Sequence, residues 1–382
     1  MWMPIAVVVV APLIINVVQW RRDLKRIQKL AGARRAIPSL ELPGGGAPKV
    51  SILVAAWNEE STLRPCLEAI QGLSYPNLEI VVCAGGTDGT WEVASEFRDA
   101  RLILLEQGRG DGNAKSLQRC LERAAGEIIY HLDADCLITG EAFARILGPI
   151  LRGEEEAVTS SPCTPLAGQL EIPFVASQCA SQVYTSIYQP GYSSGLAGAN
   201  CAIRRGALER AGGFDGAVRA GEDYDLSQRL RGQGTRLRYE AVASVPVEFH
   251  TQVRPYLRQQ SRWIRNVVIH GLRYGAYREV ASCLATSLVG LGMLTLPCVA
   301  LGLALLPGVS PAAARIVAAV WGLAFLQAYF SRLRYANVAA RWLGVRFPRR
   351  VAALLPLYLL VDFVAWTMPL VQYPSKAWRE RW

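Results

Sequence analysis

Two acidic side chains stand one residue apart where an apolar run ends: His131-Leu132-Asp133-Ala134-Asp135-Cys136 follows Ile128-Ile129-Tyr130. Side chains alternate along an extended chain, so Asp133 and Asp135 point to the same side. Two converging carboxylates repel unless a cation or hydrogen-bond donors compensate, and a hard divalent ion that bridges phosphate oxygens is the usual solution. Acidic loops also carry bare DxD sequences, so the weight comes from the position after a buried strand. A second acidic cluster, Gly221-Glu222-Asp223-Tyr224-Asp225-Leu226, precedes an amphipathic segment. Acids in a first helical turn complement the macrodipole, which is the expectation for Asp225. Asp223 is a candidate general base for a hydroxyl brought within hydrogen-bond reach. Third, Gln259-Gln260-Ser261-Arg262-Trp263 lies in a stretch, 253–277, that mixes Arg, Tyr and Trp with aliphatics. That mixture suits a helix lying on a membrane surface. Arg262 has the planar fork to grip a diphosphate, and Trp263 a flat face for a sugar or lipid head.

The elements that must hold these residues alternate. Residues 50–56 read as a buried strand, followed by the turn Trp57-Asn58-Glu59-Glu60 and a helix over 62–72. A second strand, 79–83, ends in Gly85-Gly86-Thr87-Asp88-Gly89. A third strand (102–105), a helix (114–125) and a fourth strand (128–132) follow, and 242–249 is strand-like. Alternating strands and helices predict an α/β fold with a mostly parallel sheet and a ligand site at the carboxyl ends of its strands. The glycines at 85, 86 and 89 suit either backbone approach to a nucleotide or a plain tight turn.

Composition places part of the chain in lipid. Of 382 residues, 51% are hydrophobic and only 19% charged, which argues against disorder. Residues 2–20 form an apolar run closed by Trp20 and a basic cluster, long enough for a membrane anchor. A cleaved signal peptide carries its basic residues before the apolar core, not after it. Segments 281–306, 313–330 and 351–371 are further candidate spans, the last with Asp362 inside it, a residue expected to face a helix partner or a headgroup. The expected organisation is an anchor (1–20), a basic juxtamembrane linker (21–47), an α/β domain (48–250), interfacial amphipathic helices (251–280) and a C-terminal membrane region (281–382). The net charge is +10. Residues 21–35 and 331–350 together hold thirteen basic residues against Asp23 alone, more than the whole excess, so no nucleic-acid-binding surface is implied. Positive flanks stay cytosolic, which puts the α/β domain inside the cell, at the plasma or inner membrane. Lys376, Arg379 and Arg381 resist a fourth crossing, so the last segment reads as spanning, re-entrant or interfacial. The nine cysteines show no CxxC or Cys/His spacing and suit a reduced, metal-free set.

Asn58-Glu59-Glu60, the DxD at 133–135, Gly198-Ala199-Asn200 with Arg204-Arg205, Gly212-Gly213-Phe214-Asp215, Glu222-Asp223 and the QxxRW at 259–263 occur in order. This set resembles the family 2 glycosyltransferases with a GT-A fold, among them the cellulose, chitin and hyaluronan synthases and the ceramide glucosyltransferases. The resemblance spans about residues 48–270, and one anchor before the domain with three apolar segments after it is most similar to the ceramide-glucosyltransferase type. It implies a Mg²⁺ or Mn²⁺ ion on Asp135, with Asp133 beside it on metal or nucleotide, and Asp223 as catalytic base. It implies Asn58, Glu60, Asp88, Lys115, Gln259 and Arg262 as nucleotide-sugar contacts, Glu222, Asn200 and Trp263 on the acceptor, and His250 as a further metal ligand. His131 and His270 are expected to be structural or interfacial. The implied partners are a nucleotide sugar, a lipid or glycan acceptor and the membrane. The sequence departs from the family at Cys83-Ala84-Gly85-Gly86-Thr87-Asp88, where members carry an acidic pair, and Asp88 is the shifted candidate for base or ribose. Transfer to a membrane lipid, processive polymer synthesis and an inactive scaffold that kept the fold are the readings the residues leave.

Overall fold

A computed structural model of the chain describes residues 3–35, 40, 46–189 and 191–372. It divides into two compact units: a sheet unit of residues 30–166 and 186–248, and a helical unit of residues 1–29, 167–185 and 249–381. Residues 167–185 fall inside the expected 48–250 domain but cluster with the helical unit. Lys376, Arg379, Arg381 and residues 36–39 and 41–45 of the expected linker lie outside the described residues.

The sheet unit runs β1 (Val50–Trp57), α2 (Glu60–Gln71), β2 (Leu78–Gly85), α3 (Thr90–Glu96), β3 (Leu102–Glu106), α4 (Gly112–Arg123), β4 (Ile128–Leu132), α5 (Gly140–Leu151), β5 (Ala157–Thr159) and β6 (Thr164–Pro165). After an excursion through the helical unit come β7 (Asn200–Arg204), α7 (Arg205–Arg210), α8 (Glu222–Gly232), β8 (Leu237–Tyr239) and β9 (Pro246–Val247). Seven strands form one sheet in the order β3-β2-β1-β4-β7-β5-β8, with β7 antiparallel to both neighbours. All eight residues of β2 are buried, because helices cover both faces. Ile52, Val54, Ile80 and Val82 pack with Leu63, Leu67, Phe143 and Ile146 on one face, while Leu53 and Val81 pack with Leu117 and Leu121 on the other. Full burial of each such side chain contributes about 1.5–3 kcal/mol. The order of strands along the chain reverses between β1 and β4, and the crevice at such a switch point is where ligands bind in open α/β sheets.

The stretch 242–249 shortens to β9, which pairs in parallel with β6. Pro246 opens it and has no N–H to extend a ladder.

The helical unit contains α9 (Val253–Arg273), α10 (Tyr277–Leu305), α11 (Pro311–Leu343) and α12 (Arg350–Gln372). The last three are long and apolar enough to cross a membrane. Two further helices begin or end in this unit: α1 (Met3–Arg35) and α6 (Pro173–Tyr188). α1 does not give way to a linker at residue 21 but continues to Arg35. α11 likewise runs past the expected end at residue 330, because its arginines find partners: Arg334 pairs with Asp23 at 2.5 Å and Arg332 with Asp362. Arg341 stacks over the Trp20 ring, 5.2 Å from its centroid.

Candidate active site

The turns after β1 and β2 are bonded to each other. Among the described residues Asn58 is the one non-glycine with positive φ, at 60°, a conformation asparagine tolerates better than most. Its Oδ1 accepts from the Thr87 N–H at 2.7 Å. Gly86, at φ 151°, approaches so closely that a Cβ there would collide with Asn58 Oδ1. Glu60 accepts from the Gly89 N–H at 3.2 Å, and Asp88 accepts from the Thr90 N–H and hydroxyl at 3.1 and 2.6 Å and from the Glu60 N–H at 3.3 Å. The Asn58, Glu60 and Asp88 side chains are therefore a mutually braced, exposed rim at the ends of β1 and β2.

Next to this rim, β4 delivers His131, and the turn that follows it carries Asp133 and Asp135. The turn after it is closed by the Cys136 N–H on the Asp133 carbonyl at 3.1 Å and held against β9 by the Leu137 N–H on the Pro246 carbonyl at 2.9 Å. His131 is buried, with Nε2 3.5 Å from Asp133 Oδ1, while the Asp133 side chain is 43% exposed. Because β7 pairs Asn200 with Leu132, the preceding Gly198 lies beside the end of β4. A Cβ built on Gly198 would sit 3.0 Å from His131 Cε1 and 3.3 Å from Asp223 Cβ. Asp223, from the first turn of α8, thus shares one spot with the end of β4. α8 is held there by Ser227 Oγ, which donates to the Asp223 carbonyl at 2.5 Å and accepts from the Leu196 N–H at 2.7 Å. Asn113, at the start of α4, donates to Glu222.

The electrostatics describe one acidic cluster centred on Asp133. Burial, with Asp133 and Glu59 nearby, pushes Asp135 up to about 7. Asp223 is also pushed up to about 7, by burial and by Glu222 and Asp133, against the Tyr224 N–H and the His131 charge. Burial raises Glu59 as well, joined by Asp133, Glu248 and Asp88 and opposed by a hydrogen bond from Thr62. Burial works to lower His131, but its contacts with Asp133 and Cys201 outweigh this and raise it to about 10.

Among the described residues no three His, Cys, Asp or Glu side chains form a ready-made metal cage. A Mg²⁺-like ion does not need one, since one or two carboxylates plus substrate phosphates suffice. The half-exposed Asp133 and the desolvated Asp135, crowded by Asp133 and Glu59, supply that donor set and fit such an ion.

Other expected site residues fall elsewhere or are already engaged. Asn200 is fully buried; its Oδ1 accepts from the Tyr130 hydroxyl at 2.5 Å and its Nδ2 donates to the Ala243 carbonyl at 2.8 Å. It pins β7 to its surroundings and has no surface for an acceptor. Asp225 lies in the first turn of α8 as expected, fully buried, and pairs with Arg229 at 2.9 Å, one turn along the helix. Lys115 is exposed on α4 and pairs with Asp111 at 2.7 Å. Gln259, Arg262 and Trp263 lie on α9 of the helical unit, with Arg262 and Trp263 exposed and Gln259 half-buried. His250 belongs to the same unit, where its carbonyl accepts from Gln178 at 2.8 Å.

His131, Glu59 and Asn113 were not singled out by the sequence as members of this cluster. The first stands two residues before Asp133, but β4 ends at Leu132 and Ala134 and Asp135 form a turn, so strand alternation does not reach across all three positions.

Residues 47–266 match the family model described as glycosyltransferase like family 2. The chain is 27% identical over 269 residues to the probable glycosyltransferase YdaM of Bacillus subtilis (strain 168), covering 65% of this chain and 58% of that protein. It is 26% identical over 223 residues to the poly-beta-1,6-N-acetyl-D-glucosamine synthase of Staphylococcus epidermidis, covering 56% and 53%. It is 26% identical over 231 residues to the beta-monoglucosyldiacylglycerol synthase of Nostoc sp. (strain PCC 7120), covering 57% and 49%. The chain thus spans about half the length of these curated relatives. Among solved structures, the mannosyltransferase PcManGT of Pyrobaculum calidifontis in complex with GDP-Man and Mn²⁺ superposes with a TM-score of 0.52 at 21% identity, over 100% of this chain and 97% of that one, which shows a common fold.

Proposed function

The chain belongs to glycosyltransferase like family 2, and from that premise we propose that it is a membrane-bound, inverting GT-A glycosyltransferase. In this reading it moves a hexosyl unit from a nucleotide sugar, a UDP-sugar by preference, to a membrane lipid at the cytosolic face. The observation that carries the proposal is the meeting of Asp223 with the end of β4 across Gly198, some ninety residues apart in sequence, inside one acidic cluster.

Asp223 takes the proton of the acceptor hydroxyl as that oxygen attacks the anomeric carbon in line and the bond to the nucleoside diphosphate breaks. A carboxylate raised to about 7 is matched to this task near neutral pH. Asp135 and Asp133 would hold a divalent cation together with the donor's phosphates, and that cation would stabilise the charge building on the leaving diphosphate. The buried His131, with Nε2 3.5 Å from Asp133 Oδ1, backs that carboxylate from the sheet side. Asn58, Glu60 and Asp88 form the nucleotide rim, with Lys115 as a further donor contact and Glu222 on the acceptor side. Gln259 and Arg262 take the diphosphate role and Trp263 the acceptor role that the family's QxxRW implies. The basic flanks of α1 and α11 support a cytosolic sheet unit.

A lipid acceptor is supported by the three helices among the described residues that are long and apolar enough to cross a membrane and by a relative named as a diacylglycerol-linked glucosyl synthase. Processive polymer synthesis is the second reading, supported by a relative named as a polysaccharide synthase. Purified protein given radiolabelled nucleotide sugar and a membrane extract decides. Organic-extractable label means lipid transfer, and alcohol-precipitable label means polymer. Donor consumption unaffected by chelator and by Asp223→Asn would sink both.

A further inference from the structure

α12 is apolar along its length, yet it carries Asp362, 6% exposed. A buried carboxylate in a membrane helix is costly unless paired, and such residues mark functional positions more often than packing ones. Packing alone does not call for it: around the same height Leu359 and Phe363 make an apolar cluster with Met293, Trp321 and Phe325. Its two oxygens have separate partners. Oδ2 takes the guanidinium of Arg332 from α11, and Oδ1 accepts from the Tyr256 hydroxyl of α9 at 2.5 Å. The Tyr256 ring is packed edge-on against Phe174, with centroids 5.2 Å apart. Further along, Ser261 Oγ donates to Gln372 Oε1 of α12 at 3.2 Å. Two side-chain bonds at different heights fix a helix in rotation as well as in position.

The residue so fixed is not an arbitrary one. Tyr256, Gln259 and Trp263 follow the i, i+3, i+7 spacing of one helical stripe. Turning Tyr256 about the axis of α9 therefore turns Gln259, Trp263 and, one residue before it, Arg262 by the same angle. We propose that Asp362, oriented by Arg332, is a positioning residue that sets, through Tyr256, the rotation at which α9 presents Gln259, Arg262 and Trp263 to substrate. The inference rests on the reading of Arg262 as a diphosphate contact.

The test uses the full chain in detergent and measures binding of UDP and GDP with Mn²⁺ by titration calorimetry, the donor KM and kcat, and thermal unfolding. Tyr256→Phe keeps the ring and its packing and removes only the hydroxyl. It is expected to weaken diphosphate binding and raise donor KM about tenfold, the effect of one lost hydrogen bond to a charged group. In an Arg262→Ala background the same change is expected to cost less than twofold. A second variant, Asp362→Leu with Arg332→Met, replaces the ion pair by apolar side chains. A swap of this kind is compatible with an unchanged or raised melting temperature, and here it is expected to reproduce the KM change of Tyr256→Phe. Equal losses with and without Arg262, or an unchanged donor KM in the apolar variant, overturn the inference alone. Absence of nucleotide binding by the unaltered protein overturns the proposed function and this inference with it.

Discussion

Gly198 and Asp223 belong to different elements, yet a Cβ on the first would lie 3.3 Å from the Cβ of the second and 3.0 Å from His131 Cε1. No side chain larger than hydrogen leaves the carboxylate and the imidazole where they stand. Gly198→Ala is accordingly expected to shift Asp223 by a few tenths of an ångström. Overpacking of this kind costs about 1–3 kcal/mol of stability, and a misplaced base lowers kcat by up to about 10². Urea unfolding and steady-state kinetics on the same preparation check both. A variant as active and as stable as the parent contradicts the close approach.

Asp223→Asn keeps shape and removes the base. Turnover is expected to fall by about 10² to 10⁴, while the affinity for nucleotide sugar, read by calorimetry, stays within twofold. Loss of donor binding in place of turnover would reassign Asp223 to the donor.

Asp135 is desolvated and crowded by Asp133 and Glu59, a state that a divalent cation relieves. Chelation is expected to abolish activity, with recovery on adding Mn²⁺ or Mg²⁺. Asp135→Asn removes one charged contact and is expected to raise the Mn²⁺ concentration for half-maximal activity about ten- to a hundredfold. Activity in full after exhaustive chelation excludes the metal role.

Away from the site, Glu79 is a buried carboxylate in β2 that pairs with Lys49 at 2.5 Å, accepts from the Ala125 N–H at 2.5 Å and also accepts from Ser51. Burial works to raise its pKa, but these donors prevail and hold it below the usual carboxylate range. A depressed folded-state pKa contributes stability that is present above the unfolded value and is lost as pH falls through the folded value. Glu79→Gln is expected to cost about 1–3 kcal/mol at pH 7, as losing hydrogen bonds to a buried charged group does, with the gap to the parent closing below about pH 4.5. Melting temperatures between pH 3 and pH 7 measure it, and a gap that widens on acidification has the wrong sign.

Much of the fold was legible because it is written in short-range patterns. The fourth strand, β4, runs over the expected residues, Ile128–Leu132, and β1, β2 and β3 differ from expectation by two residues or fewer at each end. Continuous apolar runs bounded by turn residues suffice for that. The extended chain expected at Asp133 and Asp135 is instead a turn, closed by the Cys136 N–H on the Asp133 carbonyl just past the end of β4. The failures have a different origin. Asn200 sits in a motif suggestive of acceptor contact, yet it is buried because β7 inserts antiparallel between β4 and β5, a placement no local pattern encodes. The basic run after residue 330 was expected as a cytosolic flank between apolar segments. It continues a helix because Asp23 and Asp362, hundreds and tens of residues away respectively, supply its counter-charges.

What the sequence determined by itself was therefore the first four strands with the helices between them, the apolar segments and the kind of chemistry its carboxylates permit, since these depend on neighbours within a few residues. The tertiary structure decided which carboxylates share a field, which polar residues are used up in packing, and that His131 lies beneath Asp133. Those outcomes depend on through-space distances between distant segments, which chain closure and burial set together.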